Sequence, residues 1–168
     1  EAPLRRILRR PPTRETFPLK NLFEPTLARE VTERLERLRP DSPRQWGKMS
    51  APQALAHCSV SLEMALGDTH APRMFLGRII GGFVKRMVFR NDDPFKRNSP
   101  TVPQLVVADE REFTAERTRL RGLIDRFSAG GPTKCTSHPH SFFGPLTPQE
   151  WAVLMYKHVD HHLRQFGA

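Results

Sequence analysis

Two stretches of the chain carry a full set of helix punctuation, and they constrain what it can fold into. In "SAPQALAHCSVSLEMALGD", Ser50 and Gln53 stand at capping-box spacing, Pro52 lies in the first turn, and Gly67 follows the last apolar repeat. In "LTPQEWAVLMYKHVDHHLRQFG", Thr147, Pro148, Glu150 and Gly167 repeat the pattern. Three further segments have helical period. Leu27, Val31, Leu35 and Leu38 recur at steps of three and four and stop before Pro40. Leu76, Ile79, Ile80, Phe83, Val84 and Met87 form a stripe that predicts a helix from about Arg73 to Phe89, with the pair Gly81-Gly82 permitting close packing or a bend. Phe113, Leu120, Leu123, Ile124 and Phe127 mark another helix, ending at Gly130. No alternating run exceeds "QLVVA" and no internal repeat occurs. These signals predict an all-α chain of four or five helices, a four-helix bundle with long irregular connections to which sixteen prolines contribute.

A chain of 168 residues is one domain in length and can bury a core without staples. The longest apolar run, "FLGRIIGGFV", is broken by Arg78 and falls short of the roughly 20 residues a membrane helix needs, so a soluble protein is expected. Five arginines and Lys20 sit in the first twenty residues and supply much of the net charge of +9. Residues 1–20 therefore read as a basic, flexible arm and residues 21–168 as the helical domain. The arm has no apolar core of the kind a secretory signal requires. It could meet an anionic partner through charge alone, but no aromatic residue interleaves its arginines, and nucleic acid is not an expected partner. Cys58 and Cys135 form neither a CxxC pair nor a disulfide framework, which suits a reducing cytoplasm.

The chemistry-bearing feature is "HVDHH" in the last helix. At about 100° per residue, His158 and His162 lie about 40° apart within an arc that also holds Trp151, Leu154, Met155, Val159, Leu163 and Phe166. His161 falls on the edge of that arc, whereas Lys157, Asp160 and Arg164 occupy the other side. Imidazoles on a buried face lose hydration and need partners. An i, i+4 pair can direct two nitrogens at one point, and a metal site needs at least a third ligand. On the second helix, His57 shares the inward face with Ala54, Val60 and Met64. Metal coordination by His57, His158 and His162 is one reading; core histidines bonded to carbonyl groups are the other.

The segments "ALAHCSVSLEMALG" and "HVDHHLRQ", with "RQWGKMSAPQALAHC", "KRNSPT", "FFGPLTPQEW" and "MYKHVDHHLRQFG", resemble the DinB/YfiT-like superfamily of four-helix metalloproteins, in particular an uncharacterised branch of it. The resemblance runs from about Asn21 to Gly167. It implies a divalent ion, zinc or nickel, held by one histidine of the second helix and an HxxxH pair of the last, which here are His57, His158 and His162. The characterised relatives are thiol-dependent S-transferases and isomerases, with a few hydrolases, so the leading expectation is a thiol-dependent S-transferase whose partners are a low-molecular-weight thiol and a small electrophile. A metal-dependent hydrolase and a non-enzymatic bundle with a structural ion or none are the alternatives. A homodimer stays open, and no membrane partner is expected.

Neighbouring residues carry lesser expectations. Cys58 points about 100° away from His57 and reads as core. His161 reads as a rim residue in contact with water. Gln53 and Gln165 are candidates for holding the free N–H of a ligand imidazole. "KRNSPT" and "HPHSFFG" lie in connections that could cover the site, the first bringing Lys96 or Arg97 toward an anion, and Asp92-Asp93 reads as solvated.

Overall fold

A computed structural model describes residues 18–99 and 105–168. The arm ahead of residue 18 lies outside the described residues, as does the stretch from Pro100 through Gln104. Five α-helices follow in order: α1 (Pro25–Arg37), α2 (Ala51–Leu66), α3 (Phe75–Val88), α4 (Phe113–Gly130) and α5 (Pro148–Gln165). A single 3-10 turn (Gly131–Lys134) follows α4. Among the described residues no strand forms and five α-helices do, so the expectation of an all-α chain of four or five helices holds.

The capping boxes form as the sequence predicts. Ser50 accepts from the Gln53 N–H while Gln53 accepts from the Ser50 N–H, and Thr147 and Glu150 do the same for α5. Gly67 ends α2 in the left-handed region. α2 packs on α4 and α5, and α1 closes against the same two helices. Their shared core holds Val31, Leu35, Leu62, Leu120, Ile124 and Trp151, each at most 1% exposed.

α5 departs from the amphipathic expectation. Lys157 and Asp160, assigned to its polar side, are 4% and 5% exposed. Burial is tolerable because each is fully paired. Asp160 accepts from Arg34 of α1 at 2.6 Å and from Arg164 at 2.7 Å, and Lys157 donates to the carbonyls of Val88, Asn91 and Asp93 at 2.7, 2.5 and 3.2 Å. α5 is therefore enclosed on nearly every side and forms a rigid base for the residues it carries.

α3 departs further. Its apolar stripe does not enter the core: Phe75 is 79% exposed, and Ile79, Phe83 and Met87 lie open to solvent as well. The buried positions are Gly77 and Gly81, which rest on the backbone of Phe142. α3 is held on the 140–145 loop backbone, the Met74 N–H donating to the Ser141 carbonyl and the Lys85 ammonium donating to the Pro145 carbonyl. A methyl group at Gly77 or Gly81 would stand 2.4 or 2.3 Å from the Phe142 carbonyl oxygen, whereas one at Gly82 would meet nothing within 4 Å. Gly77→Ala and Gly81→Ala should each lower the unfolding free energy by about 1–3 kcal/mol through overpacking. Gly82→Ala, one position away, should raise it by about 0.5–1 kcal/mol through helix propensity. Chemical denaturation of the three variants reads out these opposite signs.

Candidate metal centre

α2 and α5 bring His57, His158 and His162 together, with one ring nitrogen from each lying within 4.8 Å of the other two. The rings meet edge to face at centroid distances of 4.7 to 5.0 Å. The one-turn separation of His158 and His162 stacks them on α5, and His57 enters from α2.

Two of the tautomers follow from the partners. His57 Nδ1 lies 2.7 Å from the Leu105 carbonyl, which can only accept, so Nδ1 carries the proton and Nε2 holds a lone pair. His162 Nδ1 lies 2.8 Å from Gln165 Oε1. The amide of Gln165 is oriented in turn because its Nε2 donates to the Trp46 carbonyl at 2.8 Å, so His162 Nδ1 donates and its Nε2 is bare. His158 Nε2 lies 2.8 Å from His57 Nε2, the length of an N–H···N bond in which His57 accepts. That shared proton occupies the place from which a cation would displace it.

The support around Gln165 is close. Gly47 adopts a φ of +79°, and a methyl group there would meet Gln165 Nε2 at 2.4 Å, so the chain before α2 approaches the amide as only glycine allows. Gln45 adds a backbone N–H to the Gln165 carbonyl at 2.7 Å. Gln53, the other candidate for this role, does not touch a histidine: its side chain caps α2 and donates to the Asp109 carbonyl.

All three imidazoles stay neutral at ordinary pH. Burial lowers the pKa of His57 despite its bond to Leu105. Burial, then the neighbouring His57 and His162, holds His158 well below the usual value. Burial and His57 push His162 down to about 3. Neutral nitrogens with aimed lone pairs are what a divalent ion of borderline softness binds, and carbonyl-anchored Nδ1–H groups are the usual outer support of such ligands. The donor set therefore fits a metal ion.

The three histidines line a cavity of about 760 Å³. Its remaining wall is largely apolar, with Met64, Leu105, Phe142, Leu154 and Met155, and α3 closes one side through Leu76, Ile80, Val84 and Val88. Among the described residues, no aspartate or glutamate lines it. His161, expected at the rim, is half-buried and lines the cavity, with its ring 5.6 Å from that of Trp46. Arg97 of "KRNSPT" stacks over Trp46 at 4.4 Å, and Lys96 is exposed. Cys58 is 1% exposed in the core, where burial raises its thiol pKa and keeps it protonated. Asp92 and Asp93 are exposed. Periodicity could not indicate the Leu105 and Trp46 carbonyls, because both belong to connections.

A model of the family described as "Protein of unknown function (DUF1569)" matches residues 21–168. No curated protein and no solved structure matches the chain. Among the described residues, no helix is long and apolar enough to cross a membrane.

Proposed function

The chain belongs to the DUF1569 family, whose description assigns no activity, and from the site itself we propose a divalent-metal protein of the DinB-like kind, acting as a thiol-dependent S-transferase. The observation that carries this reading is the trio of neutral imidazoles, two with Nδ1 committed to carbonyl oxygens, opening on an apolar cavity that no carboxylate of the described residues lines. Inclusion in the DinB-like superfamily is supported by the source of the histidines, one from α2 and an i, i+4 pair from the last helix, and by mutual packing among α1, α2, α4 and α5.

His57, His158 and His162 would hold the ion, zinc or nickel. When bound, such an ion lowers the pKa of a thiol and presents it as a thiolate at neutral pH. The rest follows from the chain. Three neutral ligands leave the ion's charge uncompensated, and with no carboxylate among the described wall residues an anionic thiolate is the complementary ligand. The apolar wall excludes water and accommodates an apolar electrophile beside the sulfur. A hydrolase would need a general base for water; among the described residues no aspartate or glutamate lines the cavity, which leaves an imidazole such as His161 as the candidate for that role.

The protein loaded with zinc should accelerate S-arylation of a small thiol such as cysteine by 1-chloro-2,4-dinitrobenzene at pH 7, with loss of chloride, and His158→Ala should abolish the acceleration. Cleavage of p-nitrophenyl acetate without any thiol effect would transfer the assignment to a hydrolase. Silence in both assays would favour the non-enzymatic bundle.

A further inference from the structure

His140 faces the same cavity and, like His161, has no part in the three-histidine cluster. His140 and Gly144 pair as an isolated antiparallel bridge, with N–H···O distances of 2.9 and 3.0 Å. Arg73 donates to the His140 carbonyl at 2.8 Å and fastens the loop to the start of α3. Within the loop the ring folds back on its own backbone: His140 Nδ1 accepts from the N–H of Phe142 at 3.1 Å and of Phe143 at 3.2 Å.

A nitrogen that receives two N–H donors must hold its lone pair there, so the proton of the neutral ring resides on Nε2. Burial and the adjacent Arg73 guanidinium push the pKa of His140 down to about 4, so this tautomer persists through the neutral range. His140 lines the cavity with His57, His158, His161 and His162, and no described group accepts from its Nε2. Among the described residues no carboxylate lines the wall, and its neutral acceptors, such as Ser61, Asn98 and Ser99, are not bonded to that donor. The site thus contains a fixed, uncharged and unspent N–H.

We propose that His140 Nε2–H is a binding donor for the molecule that fills this cavity, and that this molecule is amphipathic, with an apolar body and an oxygen acceptor, an organic oxyanion or a carbonyl, placed on His140. The inference rests on the proposed function only in locating the ligand in this cavity, and it holds with or without the ion. A thiol alone does not satisfy it; the acceptor belongs to the other reactant or to a polar group of the thiol compound.

Two dyes of similar apolar body test this: 8-anilinonaphthalene-1-sulfonate, which carries an oxyanion, and N-phenyl-1-naphthylamine, which does not. The variant is His140→Asn, because an asparagine oxygen accepts from the N–H two residues on and preserves the loop while withdrawing the ring donor. A hydrogen bond to a charged acceptor is worth about 1.5–3 kcal/mol, so the sulfonate dye should bind the variant about 10-fold to 100-fold more weakly. The neutral dye should change less than about twofold on the same scale, and zinc content should not change. Equal weakening of both dyes, or none for the sulfonate, overturns the proposal. On the unaltered protein, a nitrogen–proton correlation spectrum should show His140 protonated at Nε2 and that resonance moving when the sulfonate dye is added; protonation at Nδ1, or no movement, overturns it independently of folding. Loss of zinc affinity with His57→Ala but not His140→Asn keeps the metal reading and this one separately decidable.

Discussion

His158→Ala is expected to strip the protein of its ion. The His158 ring contributes one of three converging nitrogens and lies 2.8 Å from His57 Nε2, so its removal leaves two ligands and a gap between α2 and α5. A mononuclear zinc site holds three or four protein ligands; with two, metal content after dialysis should fall from near one equivalent to below about one tenth. His57→Ala and His162→Ala should do the same. His161→Ala should retain full content, because its ring is outside the cluster although it lines the cavity. Elemental analysis of untagged protein decides this for each residue separately, and near-stoichiometric metal in any of the three removes that residue from the ligand set.

The second large effect is the loss of stability of the metal-free protein between pH 7 and 5. Buried histidines bind protons less readily folded than unfolded: His162 titrates at about 3 and His140 at about 4 in the fold, against 6.5 in the open chain. Above pH 7 neither state is protonated and nothing is lost. As pH falls through 6.5 the unfolded chain takes up protons that the folded chain refuses, so stability declines by about 1.36 kcal/mol per unit for each such group. At pH 5 these two residues together cost about 4 kcal/mol, and His57 and His158, also lowered, act in the same direction. Set against a total stability of about 5–15 kcal/mol, this places acid unfolding near or below pH 5. Ordinary carboxylates titrate lower, so the fall within this window belongs to the histidines. Urea denaturation of chelator-treated protein at pH 7, 6 and 5 measures it, and a flat profile would show that the rings are solvated.

The inward placement of the three histidines was legible because helical period alone aims them at the core, and the ends of α2 and α5 were legible because Ser50, Gln53, Thr147 and Glu150 satisfy helix termini from within a few residues. Other features depend on distant partners. Lys157 and Asp160 are charged and read as a solvent face, yet carbonyls at and just beyond the end of α3 and Arg34 of α1 enclose them. The α3 stripe reads as core, but contact is made through Gly77 and Gly81 because a loop backbone, not another helix, is the packing surface. The Leu105 carbonyl, the Gln165–Trp46 relay and the back-folded ring of His140 come from connections whose course has no period. The placement of the histidine nitrogens was thus readable, and the fixing of their tautomers was not.

The central claim, a three-histidine ion with a position that accepts a thiolate, is tested most directly by the electronic spectrum of the cobalt-substituted protein during titration with a small thiol at pH 7. The account predicts ligand-field bands of a low-coordinate ion and, on adding the thiol, an intense sulfur-to-cobalt charge-transfer band that saturates at one equivalent and is absent in His158→Ala. Failure of the protein to take up cobalt, or a spectrum that no thiol perturbs, would contradict it.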